Sequence, residues 1–186
     1  MISSRLYLQS RGIIVRSPPL LTLRHTTASR FLSASSMAAK AIPVIVCGRR
    51  EAIGEAVAAG LQPEYELVHF VKTPEAGVAD LPLVLAGRVP TSTAPSSVGT
   101  GNVARGAAAV ILGGGYGDED YAVMRKAVDA AALKRRTVWL RNNLSVAMPP
   151  PGPEYGKAVV VRVKDLLARL GGEGRLDGED GGAYWY

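Results

Sequence analysis

The chain has 186 residues, a formal net charge of +6, 47% apolar residues and 20% charged ones. That is enough for one domain with a packed core. The single cysteine, Cys47, excludes an internal disulfide framework. Two histidines and one cysteine make a poor donor set for a transition metal, so no metal site is expected. No run of ~18 apolar residues is present to span a membrane.

The charge is unevenly placed. Residues 1–40 carry Arg5, Arg11, Arg16, Arg24, Arg30 and Lys40 and no acid, while the rest of the chain sets 16 basic residues against 16 acidic ones. The basicity is therefore no footprint for nucleic acid on the folded part, and no nucleic-acid partner is expected. An acid-poor segment rich in Arg and Ser has the composition of an organellar import presequence. A secretory signal fits badly, because Ile13-Ile14-Val15 and Leu20-Leu21 are short and broken by Arg and Pro. Arg30-Phe31-Leu32-Ser33-Ala34-Ser35 resembles the Arg-x-apolar-x-x-Ser pattern of mitochondrial processing sites, which implies a matrix protein starting near Lys40. Translation from Met37 would instead leave the protein cytoplasmic. Residues 1–40 are thus expected to be a presequence or disordered extension, 41–172 a folded domain, and 173–186 a disordered tail.

In chain order, residues 42–48 (IPVIVCG) predict a buried strand. Residues 50–61 predict a helix with Ile53, Val57 and Leu61 on one face. Residues 65–71 (YELVHFV) predict a second strand. Residues 74–87 read two ways: LPLVLAG would suit a strand, but a start signal at Asp80 and Pro82, a stop at Gly87 and the need for a crossover favour a short helix. Residues 88–105, rich in Ser, Thr, Pro and Gly, predict a flexible loop. Residues 107–112 predict a third strand closed by Gly113-Gly114-Gly115. Asp118 to Leu133 predict a helix, with Asp118 at its N-cap and Tyr121, Met124, Val128 and Ala132 on one face. Residues 136–141 predict a fourth strand, and 154–170 a final helix with Val159, Val163, Leu166 and Leu170 facing inward. The last residues, GGEGRLDGEDGGAYWY, predict disorder.

This alternation implies a small three-layer α/β domain, Rossmann-like or flavodoxin-like. Its parallel sheet would hold about four strands in the order 2-1-3-4. Ligands in such sheets bind beyond the carboxyl ends of the strands, where the strand order reverses. The first strand delivers Gly48, Arg49 and Arg50 there, the third Gly113, Gly114 and Gly115, and the fourth Arg141. Free N–H groups at the start of the first helix favour an anion such as phosphate, and an arginine adds a bidentate contact. No general acid or base stands out; Tyr116 and Tyr121 are the nearest candidates.

Cys47-Gly48-Arg49-Arg50-Glu51-Ala52-Ile53-Gly54, after a strand and opening a helix, resembles the Thr-Gly-x3-Gly-Ile-Gly fingerprint of the short-chain dehydrogenase/reductase family. Gly48, Ile53 and Gly54 match; Cys47 stands for the Thr and Ala52 for the middle Gly. The resemblance implies an NAD(P)-binding Rossmann-like domain whose loop wraps a pyrophosphate. The second strand ends without the acid that would hold a ribose diol, so Lys72 and Arg50 point to NADP rather than NAD. The family's Tyr-x3-Lys pair has no counterpart here: the chain offers Tyr121-x3-Arg125 and Tyr155-x-Lys157. The sequence therefore predicts a nucleotide- or dinucleotide-phosphate-binding protein, with redox chemistry left to the cofactor. The other reading is a non-catalytic interaction or assembly module that keeps a vestigial phosphate loop.

Overall fold

Apolar runs and helical stripes meet around one parallel sheet. The computed structural model describes residues 40–92 and 96–186; residues 1–39 of the expected presequence at 1–40, and residues 93–95, lie outside the described residues. Strand β1 (Ile42–Cys47) leads to α1 (Glu51–Leu61), β2 (Tyr65–Val71) to α2 (Pro74–Leu85), and β3 (Ala109–Leu112) to α3 (Asp118–Ala130). Strand β4 (Val138–Arg141) then leads to α4 (Pro153–Gly172), and a short β5 (Ala183–Trp185) follows. All neighbours pair parallel, in the order β2-β1-β3-β4-β5. The expected order is present and gains a fifth strand.

Side chains alternate across the sheet as the pleat requires. Val44, Val46, Ile111 and Leu140 meet Val57, Leu61, Val163 and Leu167 of α1 and α4. Ile45, Cys47, Val110, Leu112 and Trp139 meet Leu81, Val84, Met124 and Val128 of α2 and α3. The result is a three-layer α/β fold of flavodoxin-like strand order. Leu61, Val163, Leu167 and Leu170 are fully buried, and each such side chain contributes about 1.5–3 kcal/mol.

Near the middle of β2 the register shifts, so that Val44 pairs with Leu67 but Ile45 pairs with His69. This bulge turns His69 toward α2, where its Nε2 meets Asp80 Oδ2 at 3.1 Å. Asp80 is therefore no helix start. The cap is Thr73, whose Oγ1 accepts from the Ala76 N–H, with Pro74 first in the helix. Asp80 is buried in mid-helix, where Oδ1 also accepts from the N–H groups of Thr91 and Ser92. At α3 the N-cap is Gly117 rather than Asp118, and Asp120 Oδ2 accepts from the Gly117 N–H.

The loop 88–105 is not wholly free of structure. Val98 and Val103 are buried, and the N–H groups of Thr100 and Gly101 donate to the Leu67 and Val68 carbonyls at 2.9 and 3.0 Å. This segment covers the outer edge of β2, a sheet edge that would otherwise stay open.

The C-terminal tail differs most from expectation. Residues 183–185 form β5 beside β4, anchored where the Trp139 and Asn143 N–H groups donate to the Gly182 and Tyr186 carbonyls. Composition suggested disorder because glycines and acids dominate. The last residues, however, alternate: Tyr184 and Tyr186 face α4, and Tyr186 is buried while Trp185 turns away. The acids are used locally. Asp180 accepts from the Tyr184 hydroxyl, the Gly182 N–H and Arg175, which pins the turn before β5.

Candidate functional site

β1 and β3 are neighbours, and their crossovers leave on opposite sides of the sheet. A cleft of about 400 Å³ lies beyond their carboxyl ends, on the side of α1 and α4. Gly48, Arg49, Arg50, Ile53 and Gly54 line it from the β1–α1 turn, and Gly113, Gly114 and Gly115 from the loop after β3. The expected glycine loops do come together. Val46, Val57, Phe70, Ile111 and Val159 make the interior apolar, and Leu144, Pro151, Tyr155 and Tyr186 complete the walls. A mostly apolar cleft with a few placed polar groups is what a small-molecule site requires.

The polar groups have separate duties. Arg50 is the N-cap residue of α1, but its side chain makes no capping hydrogen bond, so the first turn of that helix has no side-chain acceptor at its start. Arg50 makes no ion pair with a described residue. Arg49 is engaged: Nε donates to the Gly115 carbonyl at 2.8 Å, Nη2 to Asp120 at 3.2 Å, and the guanidinium lies 5.2 Å from the Tyr116 ring centre. It braces the two loops. Glu51 accepts from the Ser96 hydroxyl at 2.7 Å and pairs with Lys72 at 3.4 Å. The Ser96 hydrogen bond, with Lys72 second, holds its carboxyl below the usual range.

Two expected ligand residues lie elsewhere. Lys72, at the end of β2, does not line the cleft and is paired with Glu51. Arg141 lies on the other side of the sheet, 4.5 Å from the Tyr121 ring centre and 4.2 Å from that of Trp185, with an ion pair to Asp118. Its aromatic neighbours come from α3 and β5, which is why the strand end alone could not place it. Nor do the candidate phenols reach the cleft. The Tyr116 hydroxyl donates to the Val71 carbonyl within the α2/α3 core, where burial pushes its pKa up, and Tyr121 packs edge-on against Trp139. Burial likewise raises the Cys47 thiol, which disfavours the thiolate a nucleophile needs.

Other tyrosines take that place. Tyr155, on the first turns of α4, has its hydroxyl oxygen 3.3 Å from the Gly114 N–H and 3.2 Å from Asn142 Nδ2. The Tyr186 hydroxyl donates to the Leu112 carbonyl at 2.9 Å. Its pKa is pushed up by burial and by neighbouring Tyr155, while a hydrogen bond from Asn142 opposes the rise. Asn142 itself is buried, and its Oδ1 has no partner. The sequence carried a signal for Tyr155: it stands four residues before Val159 and eight before Val163, on the stripe that faces the sheet. Among the described residues, no group of three or more His, Cys, Asp or Glu could hold a metal ion. No helix among them is long and apolar enough to cross a membrane.

The glycines of the β1–α1 turn have a packing reason. A methyl group on Gly54 would stand 2.5 Å from the Phe70 ring, and one on Gly48 3.0 Å from it. The short side chains let α1 close over β2.

Among curated proteins, the chain is similar to kojic acid related protein 6 of Aspergillus oryzae. The two are 34% identical over 155 residues, which cover 82% of this chain and 92% of that protein. No family model and no solved structure matches the chain.

Proposed function

The chain belongs to the same family as kojic acid related protein 6, and we propose that it binds a small phosphate-bearing ligand of the nucleotide class in the cleft beyond β1 and β3. The placement of that cleft at the β1/β3 switch point carries the reading, because this is where open parallel sheets accept ligands. The first turn of α1 turns its N–H groups to the crevice, and Arg50 adds a cation beside it. Phe70, Ile111 and Val159 offer apolar surface to a planar ring. NADP and NAD are the cofactors to try first, since Gly48, Ile53 and Gly54 keep part of a dinucleotide fingerprint. Any redox step would then be the cofactor's chemistry.

The test is thermal unfolding of residues 41–186 with NADPH, NADH, FMN, ATP and, given the relative's name, kojic acid. A ligand at ~100 times its Kd adds about 2.7 kcal/mol, which raises Tm by roughly 5–10 °C for a domain of this size. An unchanged Tm with all five would end the proposal.

A second reading, a non-catalytic interaction module, draws on two exposed apolar groups. Leu144 lies at the cleft rim, 72% exposed, and Trp185, against Arg141 on the opposite face of the sheet, is 53% exposed. On this reading no ligand shifts Tm, and replacing Leu144 and Trp185 by Ser abolishes a complex detectable by sedimentation. The proposed address is the mitochondrial matrix. Tagging the full chain and a version starting at Met37 tests it, and equal cytosolic signal from both would refute import.

A further inference from the structure

Tyr155 occupies an unusual place in the hydrogen bonding of the cleft. Its hydroxyl oxygen faces two donors, the Gly114 N–H at 3.3 Å and Asn142 Nδ2 at 3.2 Å. A phenol oxygen that accepts twice keeps its own hydrogen to give. Among the described residues no acceptor takes that hydrogen. The orientation of Asn142 decides the matter. Turned over, its amide would take the Tyr155 proton on Oδ1. As it stands, Nδ2 donates to the Tyr155 hydroxyl, and Oδ1 is left buried without a partner. A buried acceptor left unmade is costly, so the arrangement sacrifices one hydrogen bond and leaves the phenol proton unclaimed. Tyr186 is not in the same position, because its hydroxyl already donates to the Leu112 carbonyl.

Tyr155 is half-buried, lines the cleft, and is held by a backbone amide and a buried side chain. We infer that its hydroxyl is the hydrogen-bond donor of the cleft, and that the ligand presents an uncharged oxygen acceptor, a carbonyl, to α4 in addition to the phosphate near α1. This rests on the ligand reading above and narrows it: a phosphate-bearing ring with a carbonyl or carboxamide oxygen fits, and a plain apolar tail does not. Tyr155 is on this account a specificity-determining residue.

Two aryl phosphates separate the possibilities. 4-Formylphenyl phosphate carries a carbonyl opposite its phosphate, and 4-methylphenyl phosphate replaces it by a methyl group. Both are titrated calorimetrically into the wild-type protein and into Tyr155→Phe, whose folding is checked by its melting curve. Wild type should bind the formyl compound about tenfold more tightly, as one good neutral hydrogen bond allows. Tyr155→Phe should bind the two alike, near the affinity of wild type for the methyl compound. A residue that only props the loop would weaken both probes equally, so the ratio between them is the informative quantity. Equal binding by wild type would overturn the role of Tyr155 and leave the phosphate cleft standing. A preference that persists in Tyr155→Phe would place the donor on another residue. Binding of neither probe would overturn the role of Tyr155, while the nucleotide reading stands or falls by its own five-ligand test.

Discussion

Arg49 donates from Nε to the Gly115 carbonyl at 2.8 Å, and so ties the turn after β1 to the loop after β3. The two consecutive arginines of this turn therefore have different expected phenotypes. Arg49→Ala removes the bond to Gly115 and the stacking on Tyr116, and should cost about 1–2 kcal/mol of stability. Its exposed pair with Asp120 adds little to that. Arg50→Ala should change stability by less than about 0.5 kcal/mol yet reduce any phosphate-dependent shift in Tm. Differential scanning fluorimetry of both variants, with and without the strongest ligand, reads the two effects. A loss of ligand response in Arg49→Ala alone would reverse the assignment.

Gly54 and Phe70 make the second prediction. The methyl group that Gly54→Ala introduces would come within 2.5 Å of the ring, so it must displace Phe70, which is 2% exposed and has little room. Overpacking of this kind costs about 1–3 kcal/mol. The double variant Gly54→Ala with Phe70→Leu should be less destabilised than the sum of its parts. Urea unfolding of all three variants measures the coupling.

The third prediction concerns β5. Tyr186→Ala removes a buried ring between the sheet and α4, and should cost about 3 kcal/mol. Arg141→Lys should cost about 1 kcal/mol, because an ammonium lacks the flat surface that lies against Tyr121 and Trp185. Tryptophan fluorescence should redden in both as Trp185 leaves its partner.

Stability should also depend on pH at both extremes. Burial raises the pKa of Tyr186, and of Cys47 and Tyr116. A raised pKa means that the folded state keeps a proton the unfolded chain gives up. The contribution is complete below the unfolded values, about 8.5 for Cys and 10 for Tyr, and is lost as pH rises beyond them. Tm should fall from about pH 9 upward, and less steeply in Tyr186→Phe. Asp180 works in the other direction. The Tyr184 hydroxyl, then the Gly182 N–H and Arg175, lower its pKa, so its contribution is present above about pH 4 and is lost as pH falls through its folded value. Asp180→Asn should flatten the acid limb and also soften the alkaline one, because the Asp180 carboxylate raises the pKa of the Tyr184 hydroxyl that donates to it.

The elements that the sequence disclosed are those whose pattern repeats: β1 as an unbroken apolar run, and α4 through Val159, Val163, Leu166 and Leu170. Their topology followed from alternation alone. The cleft was legible as two glycine loops because chain order and crossover handedness bring β1 and β3 side by side. Lys72, Arg141 and Tyr155 were not placed by the same logic. Each is settled by a partner remote in sequence: Glu51 for Lys72, Trp185 for Arg141, and Gly114 for Tyr155. β5 escaped notice because its order comes from β4 and α4 rather than from its own composition.

That fifth strand has a consequence for synthesis. The ribosome delivers β1 through β4 before β5, so for a time β4 presents Val138, Trp139 and Leu140 along an unpaired edge. Such an edge templates pairing with other chains. A nascent polypeptide halted after α4 should accordingly recruit chaperones or aggregate, whereas release of the finished segment closes the edge and one wall of the cleft in a single docking event.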